Sequence, residues 1–378
     1  MKAQTLLQAA SFLPIIAMFM FATSHAQNET PALKEVFKKA FHVGAALNRE
    51  QISRTEANTI KLVEKQFNSI TAENIMKWER IHSEPERYDF APVDSFVAFG
   101  EKNKMFIVGH TLIWHNQTPR WVFEDGAGKP ADRETLLQRM KDHIFTVMGR
   151  YKGRIHGWDV INEAVEDDGS LRQSKYLQIA GEDYLQKAFE WARAADPQAE
   201  LYYNDYNMWH KGKRETIIRL VRELQAKGVR VDGIGMQGHW GLDYPPLDEL
   251  EESILAYAEL GVKVMITEMD VNVLPDPGGH TGAEITRNYA LRKELDPYTE
   301  GVPEAVQAKQ AKQYGDFFRV LYNHRDKITR VTFWGVHDGV SWHNNWPVAG
   351  RTAHSLLFDR NLQPKPAFDA VIQTVRGD

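Results

Sequence analysis

Short runs dense in β-branched, aromatic and other apolar side chains recur along the chain, separated by longer stretches in which apolar residues return every three or four positions. The short runs are "HVGAAL" (42–47), "NSITAEN" (68–74), "MFIVGHTLIWH" (105–115), "IHGWDVINE" (155–163), "ELYYNDYN" (200–207), "GIGMQGHW" (233–240), "KVMITEMD" (263–270) and "VTFWGVHD" (331–338). Their length and content predict strands. Between them, "DYLQKAFEWARAA" (183–195) sets Leu185, Ala188, Phe189 and Ala192 on one face of a helix. "RETIIRLVRELQAKG" (214–228) is a second such segment and ends in Gly228, where a helix C-terminus favours glycine.

Strands alternating with helices predict parallel βαβ units, which close into a barrel or remain an open, doubly wound sheet. The residues at the carboxyl ends of the runs decide between these. Asn74, His110, Glu163, Asn204, His239, Glu268 and Trp334 all sit at or near such ends. An open sheet gathers its ligand at one crevice, whereas a closed barrel brings all eight ends to one face. The pattern therefore predicts a single (β/α)8 TIM barrel domain.

Two carboxylates occupy special places in that arrangement. Glu163 closes the fourth run after "WDVIN", and Glu268 closes the seventh after "VMIT". Closure of the barrel would set them across its mouth, the equipment for glycoside hydrolysis: one ionised carboxylate and one protonated carboxyl flanking the bond to be cut. Asp270, two residues beyond Glu268, falls on the same side of its strand. Asp159, inside the fourth run, reads as a buried structural acid, and Glu166, Asp167 and Asp168 as the solvated edge of a turn ending at Gly169.

"WDVINEAV" and "VMITEMDV" resemble the catalytic signatures of glycoside hydrolase family 10, the endo-β-1,4-xylanases. The likeness runs from about Phe41 to Phe368, since "TAENIMKW", "GHTLIWH", "YYNDYN", "MQGHW", "FWGVHDGVSW" and "LLFDRNLQPKPAF" follow in the family's order. The resemblance implies a retaining, double-displacement mechanism on β-1,4-xylan with Glu163 as acid/base and Glu268 as nucleophile. It also implies that Asp270 and His239 hold the nucleophile in place and ionised. Glu73, Asn74, Lys77, His110, Asn162 and Gln237 would bind the sugar, with Trp114 as a wall of the site. Trp334 and Trp342 would frame it and crowd out a hydroxymethyl group. Tyr203, Asn204 and Tyr206 would make contacts on the leaving-group side. His115 reads as structural.

Three departures from the family pattern bear on substrate fine specificity. Arg120 stands where an acid is common, and His343 where Arg or Leu is more usual. Residues 275–304 form a long Gly/Pro-bearing insertion directly after the nucleophile strand, where long loops shape a cleft.

Composition narrows the alternatives. The chain has 378 residues, a formal net charge of −5 and no basic stripe, a poor match to nucleic acid. With no cysteine, disulfides, thiolate metal sites and cysteine nucleophiles are excluded together. The N-terminus carries Lys2, an apolar run from Leu13 to Ala22, and then Ser24-His25-Ala26. That run is half the roughly 20 residues needed to span a bilayer, so the segment reads as a signal peptide, residues 1–26, cleaved after Ala26. The catalytic domain is then 27–378, exported to a periplasm or the exterior, with no membrane partner. No cofactor or metal is expected, and a monomer acting on polysaccharide is. A β-1,4-glucanase or mixed-specificity glycosidase on the same barrel remains open. So do a metal-dependent barrel hydrolase using His110, His239, Glu163 and Asp270, and a non-catalytic carbohydrate-binding protein.

Overall fold

In the computed structural model, which describes residues 31–53, 56–278 and 285–377, the eight apolar runs become eight parallel strands. They are β1 (His42–Leu47), β2 (Ser69–Ala72), β3 (Phe106–Gly109), β4 (Gly157–Asn162), β5 (Glu200–Asp205), β6 (Gly233–Met236), β7 (Lys263–Asn272) and β8 (Ile328–Phe333). Each pairs with the next. β8 also pairs with β1, with Val43 opposite Val331 and Ala45 opposite Phe333, which closes the ring. A helix follows every strand, for example Arg133–Arg150 after β3, Lys211–Ala226 after β5 and Glu304–Asn323 after β7. The fold is therefore the expected (β/α)8 barrel. The signal segment lies outside the described residues, among which no helix is long and apolar enough to cross a membrane.

The two faces of the strands do different work. Ile70, Ile107, Val160, Leu201, Ile234, Val264 and Val331 are fully buried in the layer that includes Val97, Ile144, Phe189, Ile217, Ile254 and Phe318 from the helices. Each such side chain contributes about 1.5–3 kcal/mol through burial. The inward face is more polar. Toward its amino end the barrel is closed by Phe106, Tyr202, Met265 and Arg330, with the Arg330 guanidinium 5.8 Å from the Phe106 ring and 5.5 Å from that of Tyr202. At the mid-level, Gly235 admits the side chain of Asn204: a Cβ there would sit 2.4 Å from Asn204 Oδ1.

Two of the expected strands are interrupted. The run 105–115 splits into β3 and a two-residue piece, Ile113–Trp114, which pairs with β4 and sets Trp114 opposite Asn162. The run 233–240 splits at Gly238, whose φ of +88° turns the chain, into β6 and His239–Gly241. That second piece pairs with β7 and places His239 opposite Asp270. Both offsets carry side chains beyond the barrel rim onto neighbouring strand ends.

Candidate active site

Over the carboxyl ends of the strands lies a cleft of about 680 Å³. It is lined by Glu73, Asn74, Lys77, His110, Trp114, Asn162, Glu163, Gln237, His239, Glu268, Trp334 and Trp342, so most of the sequence-predicted set converges there. Glu163 follows β4 directly and adopts φ +59°, a left-handed conformation that a non-glycine residue holds only under constraint. The constraint is visible: its N–H donates to Asn204 O at 2.9 Å, and its own carbonyl accepts from Arg172 Nε at 2.8 Å.

Glu163 is 6% exposed. Trp114 Nε1 donates to its Oε2 at 2.8 Å, while Gln237 Nε2 and Asn162 Nδ2 lie 2.9 and 3.2 Å from Oε1. Burial, reinforced by the negative charge of nearby Asp205, raises its pKa, and the contacts from Gln237, Trp114 and Arg172 offset this only in part. Glu268 is 5% exposed, yet its pKa is lowered. Burial pushes it up, but His239, His110 and Lys77 outweigh that. Asn204 Nδ2 donates to Glu268 Oε1 at 2.8 Å, and His239 Nε2 to Oε2 at 3.2 Å. The two carboxylates are joined by amides: Asn204 Nδ2 also reaches Asn162 Oδ1 at 2.9 Å, and Asn162 in turn touches Glu163.

Behind the nucleophile candidate, His239 Nδ1 faces Asp270 Oδ2 at 3.0 Å. Burial alone would lower the His239 pKa, but Asp270 and Glu268 drive it up to about 10, so the ring is an imidazolium between two carboxylates. Asp270, 0% exposed, is itself pushed up by burial and pulled well below the usual carboxylate range by His343 and His239. Lys77 donates to Asn74 Oδ1 at 2.9 Å and lies 4.8 Å from the Trp114 ring; Asn74 donates to Glu73 at 3.0 Å. His110 binds Asp159 Oδ2 through Nδ1 at 2.9 Å and meets Trp334 edge-on, the rings 5.2 Å apart. Asp159 is thus a buried acid with a partner, as expected.

Several residues fall elsewhere than expected. Tyr203 does not line the cleft; its hydroxyl donates to Asp205 Oδ2 at 2.5 Å, on the far side of the strand end. Asn204 also lies behind the lining, where it braces Glu268 instead of facing a leaving group, whereas Tyr206 does line the cleft. Trp114 is more than a wall, since its indole is a donor to Glu163. His115 lies with Nδ1 4.0 Å from Glu163 Oε2. Asp167 leaves the solvated edge and lines the cleft, drawn in by Asn207 Nδ2 at 3.1 Å and the fully buried Lys213 at 3.4 Å. Asp168 is exposed, and Glu166 pairs with Arg172 at 2.9 Å. Arg120, 83% exposed, pairs with Glu124.

The sequence reading assigned no role to Asp205, which ends β5 and binds Lys213 Nζ at 2.8 Å, although it stands within the quoted "YYNDYN". His343 was noted only as a departure; it binds Asp270. The insertion is fastened to the loop after β8, with Tyr289 N–H donating to Pro347 O at 2.9 Å and Arg351 reaching Pro275 O at 3.2 Å. Pro275, Asp276, Pro277, Ile285 and Asn288 add to the cleft wall. Among the described residues, no three His, Asp or Glu side chains are grouped so as to hold a metal ion.

Residues 32–374 match glycosyl hydrolase family 10. The chain belongs to that family. It is 48% identical over 361 residues, 96% of each chain, to endo-1,4-beta-xylanase A of Xylanibacter ruminicola. A GH10 endoxylanase from a sugarcane soil metagenome superposes with a TM-score of 0.88 at 43% identity, covering 90% of this chain and 99% of that one. Another solved structure, a mutant in complex with xylotriose, superposes with a TM-score of 0.81 at 39% identity, covering 91% and 99%. This family 10 chain is a retaining glycoside hydrolase.

Proposed function

We propose that the chain is an exported endo-β-1,4-xylanase in which Glu163 is the acid/base and Glu268 the nucleophile. The observation that carries the assignment is the opposite electrostatic bias of two equally buried carboxylates on one cleft: Glu163 is pushed toward the protonated form and Glu268 toward the ionised one. In the first step a Glu268 oxygen bonds to the anomeric carbon as the glycosidic C–O bond breaks, and the Glu163 proton passes to the departing oxygen. In the second, Glu163, now a carboxylate, takes a proton from water. The water oxygen bonds to the anomeric carbon and releases Glu268, and Glu163 is again protonated. Water is the one co-reactant, so no cofactor is required, and a single chain carries every group named.

Xylan as substrate is supported by the name of the Xylanibacter relative and by the xylotriose held in the solved neighbour. Trp334 and Trp342 stand on the cleft wall, where bulky indoles would crowd the hydroxymethyl group that distinguishes glucose from xylose. Gln237, Lys77, Asn74, Glu73 and His110 line the same cleft and offer donors and acceptors to sugar hydroxyls. Export follows from the signal-like residues 1–26, with 27–378 the catalytic domain. Proton NMR of xylooligosaccharide cleavage, with turnover on xylan set beside carboxymethylcellulose, tests the whole reading. The expected result is first release of the β-anomer and a strong preference for xylan. First release of the α-anomer would remove Glu268 as nucleophile, and a cellulose preference would make the enzyme a glucanase.

A further inference from the structure

The Asp270 carboxylate is fully buried and carries three donors on two oxygens. His239 Nδ1 and Trp342 Nε1 share Oδ2, at 3.0 and 2.7 Å. Oδ1 faces His343 Nε2 alone among the described residues, at 3.1 Å. We propose that His343 is a positioning residue for the nucleophile: by donating to Oδ1 it fixes the plane of the Asp270 carboxylate, and through it the alignment of His239 on Glu268.

The geometry leaves His343 little alternative. An ionised carboxylate only accepts, so the proton must lie on Nε2. The residue is held in place by its backbone N–H, which donates to Ser341 Oγ at 3.3 Å. Its ring packs on Trp342 with centroids 4.4 Å apart. Ser341 is pinned in turn to Ser355 Oγ at 2.8 Å. Leaving a buried carboxylate oxygen without a donor is costly, so loss of His343 would let Asp270 rotate or draw its proton partners closer. The titratable groups that act on Asp270 are His239, His343, Tyr244 and Tyr314, with Glu268 reached through His239. His343 and His239 both act to keep Asp270 ionised. With Oδ1 left without its donor, Asp270 turns and carries His239 out of line with Glu268 Oε2, so Glu268 is held less well in its ionised form.

The inference rests on Glu268 being the nucleophile, and the experiment separates the two. In the full enzyme, His343→Leu is expected to lower kcat about tenfold, with KM changed less than about twofold, and to move the acidic limb of the pH profile upward. His343→Gln, whose amide nitrogen can reach Oδ1, restores both. A His343→Leu enzyme that unfolds like wild type and keeps its kcat and acidic limb overturns the proposal. Should the leucine variant not fold, the wild-type His343 Nε2–H proton is followed by NMR before and after trapping with an activated 2-deoxy-2-fluoro-xylobioside. A protected resonance that moves on trapping supports the proposal, and its absence overturns it. Mass spectrometry of the trapped enzyme finds the label on Glu268; a label elsewhere overturns the nucleophile assignment and this inference with it.

Discussion

Glu163 and Glu268 are the same residue type, similarly buried, on the same cleft, and their surroundings treat them oppositely. The side-chain hydrogen bonds to the Glu163 carboxyl come from neutral donors, an indole and two amides, and the charge of Asp205 acts on it more strongly than that of Arg172. Around Glu268 the contacts include an imidazolium, with Lys77 and His110 beyond. Burial penalises both carboxylates alike, so the sign of neighbouring charge decides which one keeps a proton. Each also has its own aspartate, and the two aspartates act differently. Asp205 is paired with Lys213 and still raises Glu163, whereas Asp270 acts on Glu268 through an interposed cation, His239.

Three experiments break or sharpen that contrast. The largest effect is expected from Glu268→Gln, which removes the proposed nucleophile: kcat on xylan should fall at least about 10⁴-fold with the fold intact by circular dichroism. Substantial residual activity would move the nucleophile elsewhere. Glu163→Ala should cost about 10²–10⁴-fold on xylan. It should cost far less on an aryl xylobioside whose leaving group needs no proton, and azide should then give a β-glycosyl azide. A uniform loss on both substrates would deny Glu163 the acid role. The smallest and sharpest effect is expected from Asp205→Asn. Asp205 raises the Glu163 pKa, so neutralising it lets that pKa fall. With Glu163 as the proposed acid, the alkaline limb of kcat/KM should move to lower pH while the acidic limb stays put. An alkaline limb that moves upward or does not move would show that Asp205 only braces Tyr203 and Lys213.

Much of this arrangement was legible in the chain. The β-like runs marked all eight barrel strands, and the polar residues at their carboxyl ends marked the mouth, because strand order alone brings those ends together. Side-chain direction was less legible where a strand end has a period of two. Tyr203 and Asn204 are adjacent, and neither faces the cleft: one turns to Asp205 and the other reaches beneath the floor of the site to Glu268. Asp167 was unreadable for another reason. A run of acids in a turn is normally solvated, and nothing local announces that Lys213, 46 residues later, will be buried beside it.

The sequence by itself determined the barrel and set the two glutamates at strand ends, since periodicity and strand ends are local properties of the chain, while its resemblance to family 10 implied the His239–Asp270 partnership. Only the tertiary structure supplied the surroundings that push the Glu163 pKa up and the Glu268 pKa down, and decided that Trp114 and Gln237 hold Glu163 and that His343 binds Asp270. Those outcomes depend on burial and on distances between residues some 50 to 75 positions apart. Electrostatic energy follows separation in space and the polarity of what lies between, and neither is written in the order of residues.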